Sequence, residues 1–229
     1  VAAELGGVSA WPEQWRWDDD LVDGYRARGM SGVVVEEIDC EGLRESGVLL
    51  PMRRPPRWQG VVFALMGFVF LALAGLLIVE SALHREWPLL LLAALLVAIG
   101  APAVVGAYRR LLVHRAVVPG LVLTPNRVIR RGGDGELLAV AWSDIEEIRP
   151  YARTAGSPRK WHNVFGIDVR DPRAFRRGGV ARGSTASEIV TVSDAVVRMN
   201  PLLAYHLVRH YFQHPDQRPH IERAVAGTR

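Results

Sequence analysis

Cysteine occurs once in this chain, at Cys40, and lysine once, at Lys160. A lone thiol closes no intrachain disulfide and supplies no cysteine-pair metal site. Its acidic neighbours also disfavour the thiolate that a nucleophile would need. The phosphate-cradling and nucleophile-presenting motifs are missing as well. There is no Gly-Lys-Ser/Thr loop, no Gly-x-Gly-x-x-Gly after a strand and no Gly-x-Ser-x-Gly elbow. Together these absences remove the common sequence grounds for reading an enzyme, and none remains that points to a cofactor.

Charge is missing from two stretches, residues 58–79 and 87–108, each 22 residues long and separated only by residues 80–86. As a helix, each would extend about 33 Å at about 1.5 Å per residue, against a hydrocarbon core of roughly 30 Å. A soluble helix of that length carries a polar side, and neither stretch does. The first begins too far along the chain and runs too long for a signal peptide. The pair reads as a transmembrane hairpin, residues 53–110 with its flanks. Neither span contains an ionisable side chain, the usual mark of an ion path or transport site, so the hairpin reads as an anchor.

Basic residues near the spans give the expected orientation. Arg53, Arg54 and Arg57 precede the first span and Arg109, Arg110 and Arg115 follow the second, while the connecting loop holds Arg85 beside Glu80 and Glu86. Retention of Arg on the cytoplasmic side predicts an inner-membrane protein with both termini cytoplasmic. Trp58, Trp87 and Tyr108 sit where amphipathic rings prefer the headgroup region, and Pro88 suits a first helical turn. Gly100, Ala101 and Pro102 predict a bend, and small residues at Ala94, Ala98, Ala103 and Ala107 offer a face for another helix.

The net charge of +4 hides an uneven distribution. Residues 1–57 carry seven basic and eleven acidic groups, whereas residues 149–182 carry nine basic and two acidic. Residues 1–52, with Trp11, Trp15 and Trp17 followed by Asp18, Asp19 and Asp20, show no sustained period and are expected to form an acidic, largely disordered segment. Met30, just before Val33–Val34–Val35, leaves open that residues 1–29 reflect an upstream start assignment.

Beyond residue 110 the pattern turns to short alternating segments. Residues 120–124, 127–131 and 137–142 read as strands punctuated by Pro125–Asn126 and a glycine-rich turn at 132–135. Residues 144–148, 164–169 and 188–192 continue the antiparallel pattern, leaving two longer excursions at 150–163 and 170–187. A closing helix follows. Asn200 fits its N-cap, Pro201 its first position, and Leu203, Leu207, Val208, Tyr211 and Phe212 form an apolar stripe that Pro215 ends.

The order of a two-helix hairpin, Leu121-Val122-Leu123-Thr124-Pro125, an Arg-Val-Ile strand, Ala141-Trp142-Ser143-Asp144-Ile145 and a helix ending His210-Tyr211-Phe212-Gln213-His214-Pro215 resembles bacterial membrane proteins with a pleckstrin-homology-like (PH-like) domain. The resemblance covers roughly residues 53–221. It implies a β-rich PH-like domain over 111–221, an antiparallel half-open barrel of about seven strands capped by the C-terminal helix, with residues 222–229 as a tail. No catalytic activity is ascribed to such proteins as a group. The acidic N-terminal segment and the Arg- and Gly-rich stretch at 170–187 depart from the pattern.

Trp142 and Ile145 are expected in the core, with Asp144 ending a strand and capping a turn. Arg149, Arg153, Arg159, Lys160, Arg170, Arg173, Arg176, Arg177 and Arg182 crowd the loops of the C-terminal domain. They read either as a surface for anionic headgroups, at about 1 kcal/mol per basic group near such a membrane, or as a solvated, arginine-biased face. No nucleic-acid reader motif accompanies them. His206, His210 and His214, at i, i+4 spacing, are weak candidates to hold a metal, with Asp216 a nearby oxygen donor. The Glu of a metalloprotease helix is missing, and a helix C-terminus favours histidine without any metal. The expectation is therefore a non-enzymatic scaffold. Its partners are membrane lipids and a protein partner or further copies of itself, with dedicated lipid binding and a His206/His210/His214 metal enzyme as alternatives.

Overall fold

The structure, a computed structural model, describes residues 10–54, 56–112, 117–133, 135–156, 160–175 and 187–222. The chain divides into two compact units: Arg54–Val117 with Gly133–Gly135, and the remainder.

The first unit is a pair of helices. Those helices, α2 (Arg57–His84) and α3 (Trp87–Leu111), are both long and apolar enough to cross a membrane. Their packing is inverted relative to a soluble protein. Phe68, Leu76 and Leu91 are exposed, while Gly67, Ala74, Ala93, Gly100, Ala103 and Ala107 form the seam or lie buried. Contact between the two helices falls to small residues that let the backbones approach, a pattern suited to helices whose large apolar side chains face lipid. A Cβ on Gly67 would lie 2.7 Å from the Val104 side chain and 2.9 Å from the Gly100 carbonyl oxygen. Ala103 and Ala107 fall on the expected face; Ala94 and Ala98 are exposed, and Ala93 and Gly100 replace them. The link is also shorter than residues 80–86. Helix α2 continues through Glu80 and His84, which pair at 3.1 Å, and Arg85 turns the chain with a left-handed φ of 55°.

The second unit corrects the expectation for residues 1–52. Residues 10–52 are not a loose tail: they form a short aromatic stretch, helix α1 (Asp19–Arg28) and strands β1 (Val34–Cys40) and β2 (Leu43–Pro51). The Asp run is a helix start. Asp18 caps α1 by accepting from the Asp20 and Leu21 amides, with Asp19 and Asp20 in the first turn and Arg26 and Arg28 in the last, as the helix dipole favours. Trp15 and Tyr25 are buried, and the Trp15 indole N–H donates to the Val164 carbonyl at 2.8 Å.

The remaining strands are β3 (Gly120–Leu123), β4 (Arg127–Arg131), β5 (Leu137–Ala141), β6 (Ile145–Ala155), β7 (Lys160–Val169) and β8 (Glu188–Ser193). A short α4 (Pro172–Phe175) follows β7, and α5 (Pro201–Gln213) closes the unit. Antiparallel pairing gives a five-stranded sheet, β1-β2-β3-β4-β5, and a three-stranded sheet, β6-β7-β8; neither closes among the described residues. Much of the expected 150–163 excursion is strand, because Pro150–Ala155 pairs with Lys160–Phe165 as a long hairpin. Strand β2 pairs with β3, Leu49 opposite Val122, although both helices of the other unit lie between them in sequence. The helical pair is therefore an insertion in the connection between two adjacent strands.

The main core joins both sheets and α5: Val48, Leu50, Leu121, Leu123, Trp142, Ile145, Phe165, Ile167, Val190, Tyr205, Val208 and Tyr211. Trp142 and Ile145 are buried as expected, and the Trp142 indole donates to the Thr124 carbonyl at 2.9 Å. Asn200 caps α5 through the Leu202 amide at 2.9 Å. A second apolar cluster, Ile38, Cys40, Leu49, Val122 and Ile129, occupies the other face of the five-stranded sheet. On that face Arg127 reaches Glu45 at 3.0 Å and Arg131 reaches Glu36 at 2.6 Å, the latter across three strand spacings, as a curled sheet allows. Gly47 and Gly120 sit where β2 and β3 crowd, with no space for a Cβ.

Candidate functional site

Of the candidate basic residues, Arg159, Arg176, Arg177 and Arg182 lie outside the described residues. The structure separates the others. Arg149, on β6, bridges Asp168 of β7 at 3.2 Å and Glu188 of β8 at 3.5 Å. Asp168 and Glu188 are buried and sit opposite each other in register. Glu188 accepts from the Thr191 hydroxyl and, at 3.0 Å, from the Tyr151 hydroxyl, and Gly166 leaves room for its carboxyl, since a Cβ there would lie 2.7 Å from Glu188 Cδ. Burial pushes the Asp168 carboxyl upward against the opposing pull of Arg149. Arg149 thus holds two buried carboxylates in place, which is a packing role.

Arg153 and Lys160 have a different setting. They lie near the tip of the β6–β7 hairpin, Arg153 opposite His162 and Lys160 opposite Ala155, and both are exposed. Trp161, opposite Thr154, falls on the other face of the hairpin at 46% exposure, with the Arg16 guanidinium 4.3 Å from its ring centroid. The tip thus carries two exposed cations on one face and, on the other, an exposed indole beneath a single guanidinium. Arg173 is exposed on α4, and its amide is held by the Asp171 carboxylate at 3.0 Å.

The histidine helix does not gather its imidazoles. His206 Nε2 lies 3.0 Å from the Ala10 carbonyl, His210 Nε2 lies 2.7 Å from Gln217 Oε1, and His214 Nδ1 lies 3.0 Å from the His210 carbonyl. Rings His210 and His214 stack at 4.5 Å. Among the described residues no three His, Cys, Asp or Glu side chains converge as a metal site would require. The geometry gives His206 and His210 separate hydrogen-bond partners.

Two polar networks had no sequence forecast. In one, buried Asp194 accepts from the Tyr25 hydroxyl at 2.8 Å and faces His162 Nδ1 at 3.0 Å, while Asn163 donates to the Arg16 carbonyl and accepts from the Arg16 amide. Burial and Asp194 hold the Tyr25 phenol far above its ordinary range. Ser193 turns its hydroxyl to Asp194 and not to His162, so the serine–imidazole bond that activates a nucleophile is not formed. In the other, Glu36, Glu41 and Glu45 meet Arg127 and Arg131. The signal for this second network was the charge imbalance itself: N-terminal carboxylates complement cations of the C-terminal strands.

A cleft of about 290 Å³ lies between β6 and α5, lined by Ile148, Pro150, Tyr205 and Phe212 with Gln14, Glu147, Arg209 and Gln213 at its rim. Cys40 is buried, and that burial, with Glu41 nearby, pushes its thiol upward, away from nucleophile chemistry. Comparison with protein-family models, with curated proteins and with solved structures finds no match to this chain.

Proposed function

We propose that the chain is a non-enzymatic, two-pass protein of the bacterial inner membrane. Its β unit, read as a PH-like domain, faces the cytoplasm and serves as a scaffold that binds a protein partner or further copies of itself, helped by Arg contacts to anionic lipid. The observation that carries this reading is the pairing of β2 with β3. Because adjacent strands flank the helical pair, the chain leaves and re-enters one folded unit, so the intervening segment crosses a bilayer an even number of times. The arginines beside both helices favour the cytoplasm for that unit. The polar clusters further support a scaffold, since Arg149 engages Asp168 and Glu188, and Tyr25 engages Asp194, within the fold. Crosslinking the full chain in native membranes, followed by identification of attached proteins, is the test. Adducts that include a specific partner or a second copy are expected; release of the chain by carbonate, or the absence of any adduct, would overturn the reading.

The hairpin tip favours a second reading, direct binding of anionic lipid. Exposed Arg153 and Lys160 at the tip, together with exposed Trp161 under the Arg16 guanidinium, combine charge with an interfacial ring in one short segment. Hydrogen exchange of the reconstituted full chain should show protection at residues 153–156 and 160–162 with phosphatidylglycerol but not with phosphatidylcholine alone, and the protection should fade at high salt. Equal exchange in both lipids would dismiss it.

A further inference from the structure

Four strands end the two sheets, and three of them carry features that discourage further pairing. Strand β1 bears Glu36, Glu37 and Asp39, β6 has Pro150 in its middle beside Glu146 and Glu147, and β8 carries Glu188 and is buried at five of its six positions. Charges, proline and cover are the usual protections of a sheet edge. Strand β5, Leu137-Leu138-Ala139-Val140-Ala141, has none of them. Four of its five side chains are only half-buried, although all are apolar.

The hydrogen-bond phase of β5 can be fixed from the bonds at its two ends. Trp142 donates to the Asn126 carbonyl at 3.2 Å, and Gly132 donates to the Glu136 carbonyl at 2.8 Å. Between these, Val128 faces Val140 and Arg130 faces Leu138, so in an antiparallel ladder those pairs exchange bonds. Leu137, Ala139 and Ala141 therefore point their amides and carbonyls away from β4. Among the described residues these groups have no backbone partner.

We propose that this edge is a self-association surface, at which β5 pairs antiparallel with β5 of a second copy about a two-fold axis at Ala139. This deepens the scaffold reading above and rests on it. Self-pairing in this register sets Leu137 opposite the second copy's Ala141 and Ala139 opposite itself. All three outward residues then exchange both bonds, and two five-stranded sheets become one of ten strands. The seam is uncharged, whereas the same operation on β1 would set carboxylates against carboxylates, which is unfavourable directly across strands. Leu137 and Ala139 already pack against the edge of the second apolar cluster beside Ile129, so the second copy's residues continue that layer. An isologous contact of this kind closes at two copies and leaves no growing edge. Confinement to one bilayer raises the encounter probability of two such edges.

The test uses the full chain in native membranes, with Cys40→Ser removing the one natural thiol. A single Ala139→Cys should form a covalent dimer with a short bifunctional thiol reagent, since Cα atoms of a hydrogen-bonded antiparallel pair lie about 5.5 Å apart. Differently tagged Leu137→Cys and Ala141→Cys copies should crosslink to each other. Leu137→Cys alone should not, because its two thiols would be roughly 14 Å apart at about 3.4 Å per residue. Ala139→Pro removes only an outward amide, so it should convert dimers to monomers by light scattering in mild detergent without loss of the thermal transition. Dimers that persist in Ala139→Pro, together with no crosslink at 139, would overturn this interface while sparing the scaffold reading. A wild-type chain that is monomeric in membranes and captures no partner would end both. A crosslink from Ala139→Cys to a different protein, with none to a second copy, would assign the edge to that protein and overturn self-pairing.

Discussion

At the scale of single residues, the β unit is held by buried polar groups whose partners come from distant segments. Tyr25 and Asp194 lie 169 positions apart and share a 2.8 Å hydrogen bond. Tyr25→Phe keeps the ring but withdraws a donor from a buried carboxylate, and should lower unfolding stability by about 1–3 kcal/mol in denaturant titration. His206 gives a prediction about pH. Burial lowers its affinity for a proton in the fold, while in the unfolded chain it titrates near the ordinary value of about 6.5. The unfolded state thus binds more protons in the window below that value, so the stabilisation present at neutral pH is lost as pH falls through it. The melting temperature should fall between pH 7.5 and pH 5.5 in the native chain, and His206→Gln should flatten that part of the profile.

At the scale of elements, what was legible in the sequence followed from local chemistry. The two helices announce themselves by uncharged length, and α5 by Asn200, Pro201 and a stripe at three- and four-residue spacing. Residues 10–52 were not legible because their order comes from partners far away. Strand β2 finds β3 across the inserted helices, Trp15 finds Val164, and Glu36 finds Arg131. No window along the chain displays such pairings, and a run of three aspartates reads as solvated until its capping bonds are visible. The β6–β7 hairpin was hidden for a similar reason, since Pro150 and the charged residues beside it argue against a central strand but are compatible with an edge. Arg149 and Arg153 looked alike in sequence, and only the buried carboxylates opposite Arg149 separate their roles. Within the helical pair, Gly100→Leu places a branched side chain where even a Cβ meets Gly67 and Phe70 at 3.1 Å. In mild detergent the Gly100→Leu chain should lose its helical circular-dichroism signal at a lower temperature than the native chain, and an unchanged transition would contradict this packing.

At the scale of the whole molecule, the strand order and the two long helices together constrain the path of the chain. A sheet that contains residues from both flanks of the helical pair demands that those flanks share a compartment, and an odd number of crossings would tear β2 from β3. The arginine distribution points the same way by an independent route, because it acts during insertion and not through the folded sheet. On these two grounds we propose a two-pass anchor with both flanks in one compartment. The edge of β5 and the basic hairpin tip are the surfaces we propose for contact with a second copy and with anionic lipid.

Accessibility of single thiols tests this path most directly. In a Cys40→Ser chain, Arg44→Cys reports on β2, Arg85→Cys on the link between the helices and Ser143→Cys on the turn after β5. A membrane-impermeant maleimide should label Arg85→Cys on intact cells with a permeable outer envelope, and reach Arg44→Cys and Ser143→Cys only after the inner membrane is opened. Labelling of Arg44→Cys and Ser143→Cys from opposite sides, or of all three alike without opening that membrane, would contradict the account.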